Sequence, residues 1–158
     1  MSTLSRPYRT IDDAALGGFK KILLNDREWK SYEYGFLVIG LMHQIVRQLG
    51  HEGFMDTDEL YQYTEPRTDR SKNSIDQTIP PQYAMLVRAF CHTHPTPGSF
   101  SSQDFRNFKK LRELTARHKL GHDVIYYLME SDLQVRRSSR EENFREGDII
   151  PGLDKATS

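Results

Sequence analysis

The sequence predicts a mixed α/β domain, a sheet flanked by helices, and three observations carry that expectation. Apolar runs rich in β-favouring residues recur at residues 32–39, 83–91 and 123–129. Two other stretches, residues 11–24 and the segment after Ser101, space their apolar side chains at helical intervals. A length of 158 residues is enough for one domain with a real core and too short for two comfortable ones.

Taken in order, residues 1–9 are polar and are expected to be loose. Thr10 is a natural N-cap, and Asp12 and Asp13 place acidic charge at the positive end of the helix that follows. Ile11, Ala14, Ala15, Phe19, Ile22 and Leu23 form its apolar stripe. Gly17 and Gly18 each weaken a helix by about 1 kcal/mol relative to alanine, which suits close packing on a neighbour. After a turn at Asn25-Asp26, residues 32–39 read as a buried strand with Glu33 at its polar start. Leu41, Met42, Ile45, Val46 and Leu49 favour a helix ended by Gly50. Residues 60–64 form a short strand, and residues 65–82 a long surface loop of the kind that often serves function.

Residues 83–91 fit a central strand, and Phe105, Phe108, Leu111 and Leu114 make one stripe of the next helix. Its basic residues, from Arg106 to Arg117, read most simply as a solvated face. His118 and His122 have a chelating spacing, but Gly121 between them ends the helix and spoils it. Residues 123–129 and 133–135 are further strands, and residues 136–158 are mostly charged and polar. The expected organisation is therefore a flexible terminus at 1–9, a domain at 10–135 and a polar tail at 136–158.

Basic and acidic residues balance at 22 each, so no net field recruits nucleic acid or an anionic membrane. No apolar stretch approaches the roughly 20 residues of a membrane span, and the first nine residues lack the apolar core of a secretory signal. The single cysteine, Cys91, excludes an internal disulfide and suits a reducing cytoplasm.

The chemistry concentrates between Cys91 and Asp104. Alternate residues of a strand point to one face, so His92 and His94 can aim both imidazoles at one point. Zinc takes histidine nitrogens and carboxylate oxygens, with three protein ligands and an open position in catalytic sites. Asp104, on the first turn of the next helix, is the natural third ligand, and Pro95, Pro97 and Gly98 shape the turn that returns it. Ser101 and Asp104 also read as a capping box, which alone accounts for both. The two readings are compatible, because a serine hydroxyl can accept a backbone N–H and still donate its own proton.

His92-x-His94-Pro95 followed by Ser101-x-x-Asp104 resembles the signature of the JAMM (MPN-plus) zinc metallopeptidases, over roughly residues 10–130. That family also carries a glutamate on an earlier strand, and residues 33–40, Glu33 through Gly40, have the matching form. Glu28 is the alternative acid. Two departures accompany the resemblance: the loop from His94 to Ser101 is one residue shorter than in most relatives, and Gly35 sits one place early.

The resemblance implies a cytidine-deaminase-like layout and a Zn2+ ion on His92, His94 and Asp104. It makes Glu33 the general base and Ser101 the donor to the developing oxyanion. It implies hydrolysis of an amide or isopeptide bond in a protein or peptide substrate, commonly one ending in a ubiquitin-like tail. An inert scaffold of the same fold and a metal-dependent hydrolase serving as an effector or toxin are the competing readings.

Overall fold

A computed structural model describes residues 4–41, 59–68, 83, 86–95, 100–117, 124–139 and 147–153. Among them, helix α1 (Ile11–Asn25) leads through a 3-10 turn (Trp29–Ser31) to strand β1 (Tyr34–Leu41). Strands β2 (Leu60–Tyr63), β3 (Arg67–Thr68) and β4 (Val87–Thr93) follow, then helix α2 (Ser102–Arg117) and strands β5 (Ile125–Met129), β6 (Val135–Ser138) and β7 (Asp148–Ile150). The seven strands form one mixed sheet in the order β2-β1-β4-β5-β6-β7, with β3 also paired to β1. Only β4 and β5 are parallel, and α2 lies in the connection between them, as a parallel pair requires.

Helix α1 begins as expected: the Thr10 hydroxyl accepts the Asp13 N–H at 3.0 Å. The two glycines of α1 allow close approach. A Cβ on Gly18 would lie 2.4 Å from the Phe36 ring, and one on Gly17 2.5 Å from the Tyr8 hydroxyl. Phe19 packs edge-on against Phe36 at 5.0 Å between ring centres.

Strand alternation sorts the core into two faces. Phe36, Val38, Ala89, Cys91, Tyr127 and Met129 join the cluster under α1. Leu37, Phe90, Tyr126 and Leu128 turn the other way and meet Phe100 and Phe108 from the α2 side.

Three expectations shift in the structure. β4 continues to Thr93, beyond the expected end at residue 91, because β1 pairs with it as far as His92 and β5 as far as Thr93. Residues 133–135 do not begin a strand at Leu133. The Leu133 N–H closes a turn onto the Glu130 carbonyl at 2.9 Å, Leu133 itself takes φ 72°, and β6 starts at Val135. Residues 65–82 are not loop throughout, since Arg67 and Thr68 pair with Gly35 and Tyr34.

At the termini, Leu4 bridges Thr64 and Tyr8 bridges Tyr61, so residues 4–8 lie along β2. β6 crosses the expected boundary after residue 135, and β7 adds a strand from within residues 136–158. The expected helix beyond Leu41, the remainder of the 65–82 loop, and His118 and His122 fall outside the described residues, as do the side chains of Leu111 and Leu114. Among the described residues, no helix is long and apolar enough to cross a membrane.

Candidate metal centre

Both imidazoles come from the end of the central strand. The antiparallel register pairs Gly35 with His92 and, carried two residues on, sets Glu33 opposite His94. Period-two alternation puts Glu33, His92 and His94 on the α2 face. The backbone holds this end of the sheet from both sides. The Thr68 hydroxyl donates to the Glu33 carbonyl at 2.7 Å, and the Tyr34 N–H donates to the Thr93 hydroxyl at 2.9 Å. Past the strand end, the His94 N–H donates to the Met129 carbonyl at 3.0 Å, tying it to β5.

Asp104 arrives on the first turn of α2 through a reciprocal capping box. The Asp104 N–H donates to the Ser101 hydroxyl at 3.1 Å, and the Ser101 N–H donates to Asp104 Oδ2 at 2.8 Å. Phe100, before the cap, and Phe105, four residues into the motif, occupy hydrophobic-staple positions and pack in the same apolar cluster. Ser101 itself is exposed, and its hydroxyl keeps a proton to donate.

The resulting geometry is compact. His92 Nε2 lies 3.2 Å from Asp104 Oδ1, His94 Nε2 3.2 Å from Asp104 Oδ2, and the two Nε2 atoms 3.2 Å from each other. Ligand atoms 2.0–2.1 Å from a tetrahedral zinc stand about 3.3 Å apart; the two Nε2 atoms meet that spacing, and each faces a different oxygen of the Asp104 carboxylate. Glu33, His92 and His94 also offer ligand atoms that all lie within 4.8 Å of one another. Glu33, His92 and Asp104 are each less than 10 % exposed. Glu33, at the polar start of its strand in the sequence, is buried by the fold.

The two carboxyl groups are driven in opposite directions. Burial raises the Glu33 pKa, opposed by the His92 and His94 charges and reinforced by Asp104. Burial also acts to raise the Asp104 pKa, but the His92 charge and the hydrogen bonds from His92, His94 and the Ser101 N–H together hold it well below the usual carboxylate range. One site thus contains an ionised carboxylate suited to hold a cation and a second with enhanced affinity for a proton.

Two supporting residues escaped the reading of the sequence. Tyr126 packs edge-on against His92 at 5.5 Å, and its hydroxyl pairs with Asn107, three residues beyond Asp104 on α2. Burial, with the Asp104 charge, pushes the Tyr126 phenol far up, so it remains neutral. Helical i, i+3 spacing from Asp104 was the available signal for Asn107; nothing in the sequence marks Tyr126 apart from its strand neighbours. His92 Nδ1 is buried and has no hydrogen-bond partner among the described residues, so no acceptor there fixes its tautomer from behind. Cys91 lies on the opposite face, and burial raises its thiol well above the ordinary range, which makes it an inert core residue.

The arrangement defines a candidate His, His, carboxylate cation site with a second carboxyl group beside it. No family model, curated protein or solved structure matches the chain.

Proposed function

We propose that the chain is a JAMM-like zinc metallopeptidase, with its mixed sheet and two helices in the JAMM/MPN, cytidine-deaminase-like layout. The observation that carries the reading is the convergence of His92, His94 and Asp104 beside the buried Glu33: the two Nε2 atoms stand 3.2 Å apart, and each lies 3.2 Å from a different oxygen of the Asp104 carboxylate. His92, His94 and Asp104 would hold the ion through Nε2, Nε2 and a carboxylate oxygen. A zinc ion there supplies Lewis acidity, lowering the pKa of water and polarising a carbonyl.

Glu33 is the proton carrier. It takes a proton from the attacking water and returns it to the amine nitrogen as the C–N bond breaks, leaving an acid and an amine. Burial suits it to this task, because a base works best when its pKa approaches ambient pH. Ser101 donates its hydroxyl proton to the oxygen on which charge develops. The substrate is a protein or peptide with an amide or isopeptide bond, a ubiquitin-like tail being the expected class. A reducing cytoplasm suits the lone thiol.

A second reading has its own observation. Glu33 lies within ligand range of both imidazoles, so it could complete a closed, non-catalytic site of two histidines and two carboxylates, as in an inert scaffold. Glu33→Gln separates the two. The peptidase reading expects zinc to stay and cleavage of a ubiquitin-like fusion to disappear; the closed site expects zinc itself to be lost. Zinc retention without cleavage of any peptide bond by the wild type would favour a different metal-dependent hydrolase, such as an effector.

A further inference from the structure

The terminal torsion of a histidine side chain is broad and roughly two-fold, so the β4 backbone by itself does not decide which atom of the His92 ring faces the ion. Metal-bound imidazoles usually settle this by donating their second N–H to an acceptor behind the ring. His92 Nδ1 is buried and has no such partner among the described residues.

Aromatic rings surround the imidazole. Tyr126 meets it edge-on, with 5.5 Å between ring centres and 78° between planes. Phe100 lies 6.3 Å from the imidazole and 6.2 Å from the Tyr126 ring, so the three rings are in mutual contact. These separations fall within the roughly 4.5–7 Å at which aromatic rings attract one another. Tyr126 is itself held firmly. Phe90 stacks on it at 5.9 Å, Phe108 meets it edge-on at 6.0 Å, and Asn107 of α2 binds its hydroxyl. Phe100 immediately precedes the capping box of Ser101 and Asp104, so the segment that delivers the third ligand also delivers a wall against the first.

We propose that Tyr126 is a positioning residue of the cation site, its ring holding the His92 imidazole with Nε2 toward His94 and Asp104 by packing in place of a hydrogen bond. Phe100 supports the same orientation from the capping segment. The inference rests on the metal reading above and adds to it a residue that acts through His92. A ligand keeps its geometry only when the side chains around it are locked in their turn, and the rings on Tyr126 meet that condition. The hydroxyl is dispensable in this role, because the ring makes the contact with His92 and Asn107 anchors only the far end.

The test measures the zinc affinity of the full chain by competition with a chromophoric chelator. It also records the visible absorption of the cobalt(II)-loaded protein, whose bands report ligand geometry. The variants are Tyr126→Leu, Tyr126→Phe and Phe19→Leu, the last a comparable loss of a buried ring on the opposite face, each checked for folding by circular dichroism. The expected result is a loss of roughly 10–100-fold in zinc affinity in Tyr126→Leu, the usual effect of removing a group that orients a ligand, with an altered cobalt spectrum. Tyr126→Phe and Phe19→Leu keep the wild-type affinity and spectrum. Should Tyr126→Leu not fold, Phe100→Leu removes the second ring and is expected to weaken zinc in the same direction. A wild type that binds neither metal would overturn the metal reading and this proposal with it. Metal binding by the wild type, with affinity and spectrum unchanged in folded Tyr126→Leu or in the Phe100→Leu that replaces it, would overturn the positioning role alone. An equal loss in Phe19→Leu, which would mean general loosening of the core, or a loss in Tyr126→Phe, which would assign the role to the hydroxyl, would overturn it as well.

Discussion

The two faces of the sheet are built from the same strands yet solve different problems. Under α1, Phe19, Phe36, Val38, Ala89, Cys91 and Met129 form an apolar core. Its ionised groups sit at the rim, where Arg137 meets Asp12 at 2.7 Å and the Tyr127 hydroxyl donates to the same carboxylate. Under α2, at the end of β4, Glu33, His92 and Asp104 are buried together with only a thin solvent margin at His94. Burying ionisable groups is costly unless they are paired or hold a cation. Concentrating them at one end of one face, while the other face avoids them, is the arrangement that the proposed cation site requires.

The largest expected effect that sharpens this contrast is on activity. Glu33→Gln should lower peptide or isopeptide hydrolysis by about 10²–10⁴-fold, the usual contribution of general acid–base catalysis, with zinc content unchanged. Cleavage of a ubiquitin-like fusion at the wild-type rate would remove Glu33 from its role.

On the apolar face the corresponding loss is in stability. Phe19→Ala should cost about 3–5 kcal/mol, measured by urea unfolding, while the protein that remains folded keeps its zinc. Metal loss in folded Phe19→Ala would mean that the two faces are not independent. Gly18→Ala is a gentler version. Its Cβ would press on Phe36 at 2.4 Å, which predicts about 1–3 kcal/mol of destabilisation from overpacking. A neutral or stabilising result would show that the helix can move away from β1 at no cost.

The smallest effect concerns pH in the metal-free protein. Because burial raises Glu33, the folded state holds its proton more tightly than the unfolded chain does. Stability therefore falls as pH rises from the ordinary glutamate value of 4.5 through the raised one. Glu33→Gln removes that loss and should be more stable than wild type at neutral pH, the difference closing on acidification. Asp104 has the opposite sign: its contribution is present above its ordinary 3.8 and is lost as pH falls through the lowered value. Denaturant midpoints across pH for the two single variants, Glu33→Gln and Asp104→Asn, should move in opposite directions at neutral pH.

Much of this was legible in the sequence for identifiable reasons. Thr10 capping, the α1 stripe and the β1 run follow short-range rules, and β-strand periodicity sufficed to aim His92 and His94 together. The capping box at Ser101 and Asp104 was readable because its partners are three residues apart. The burial of Glu33 was not, because it depends on β3 and β4 closing around the start of β1, contacts 35 and 59 residues away. The turn at Leu133 was hidden because a leucine at positive φ carries no sequence mark. Likewise, β6 and β7 lack a strong apolar run, and their place in the sheet comes from pairing with β5 and with each other.

The most direct test of the central claim is elemental analysis for zinc on purified wild-type protein and on His94→Ala, each checked for folding by circular dichroism. The account predicts about one zinc per wild-type chain and close to none in the folded variant. A wild type without zinc, or a variant that retains its full complement, would contradict it.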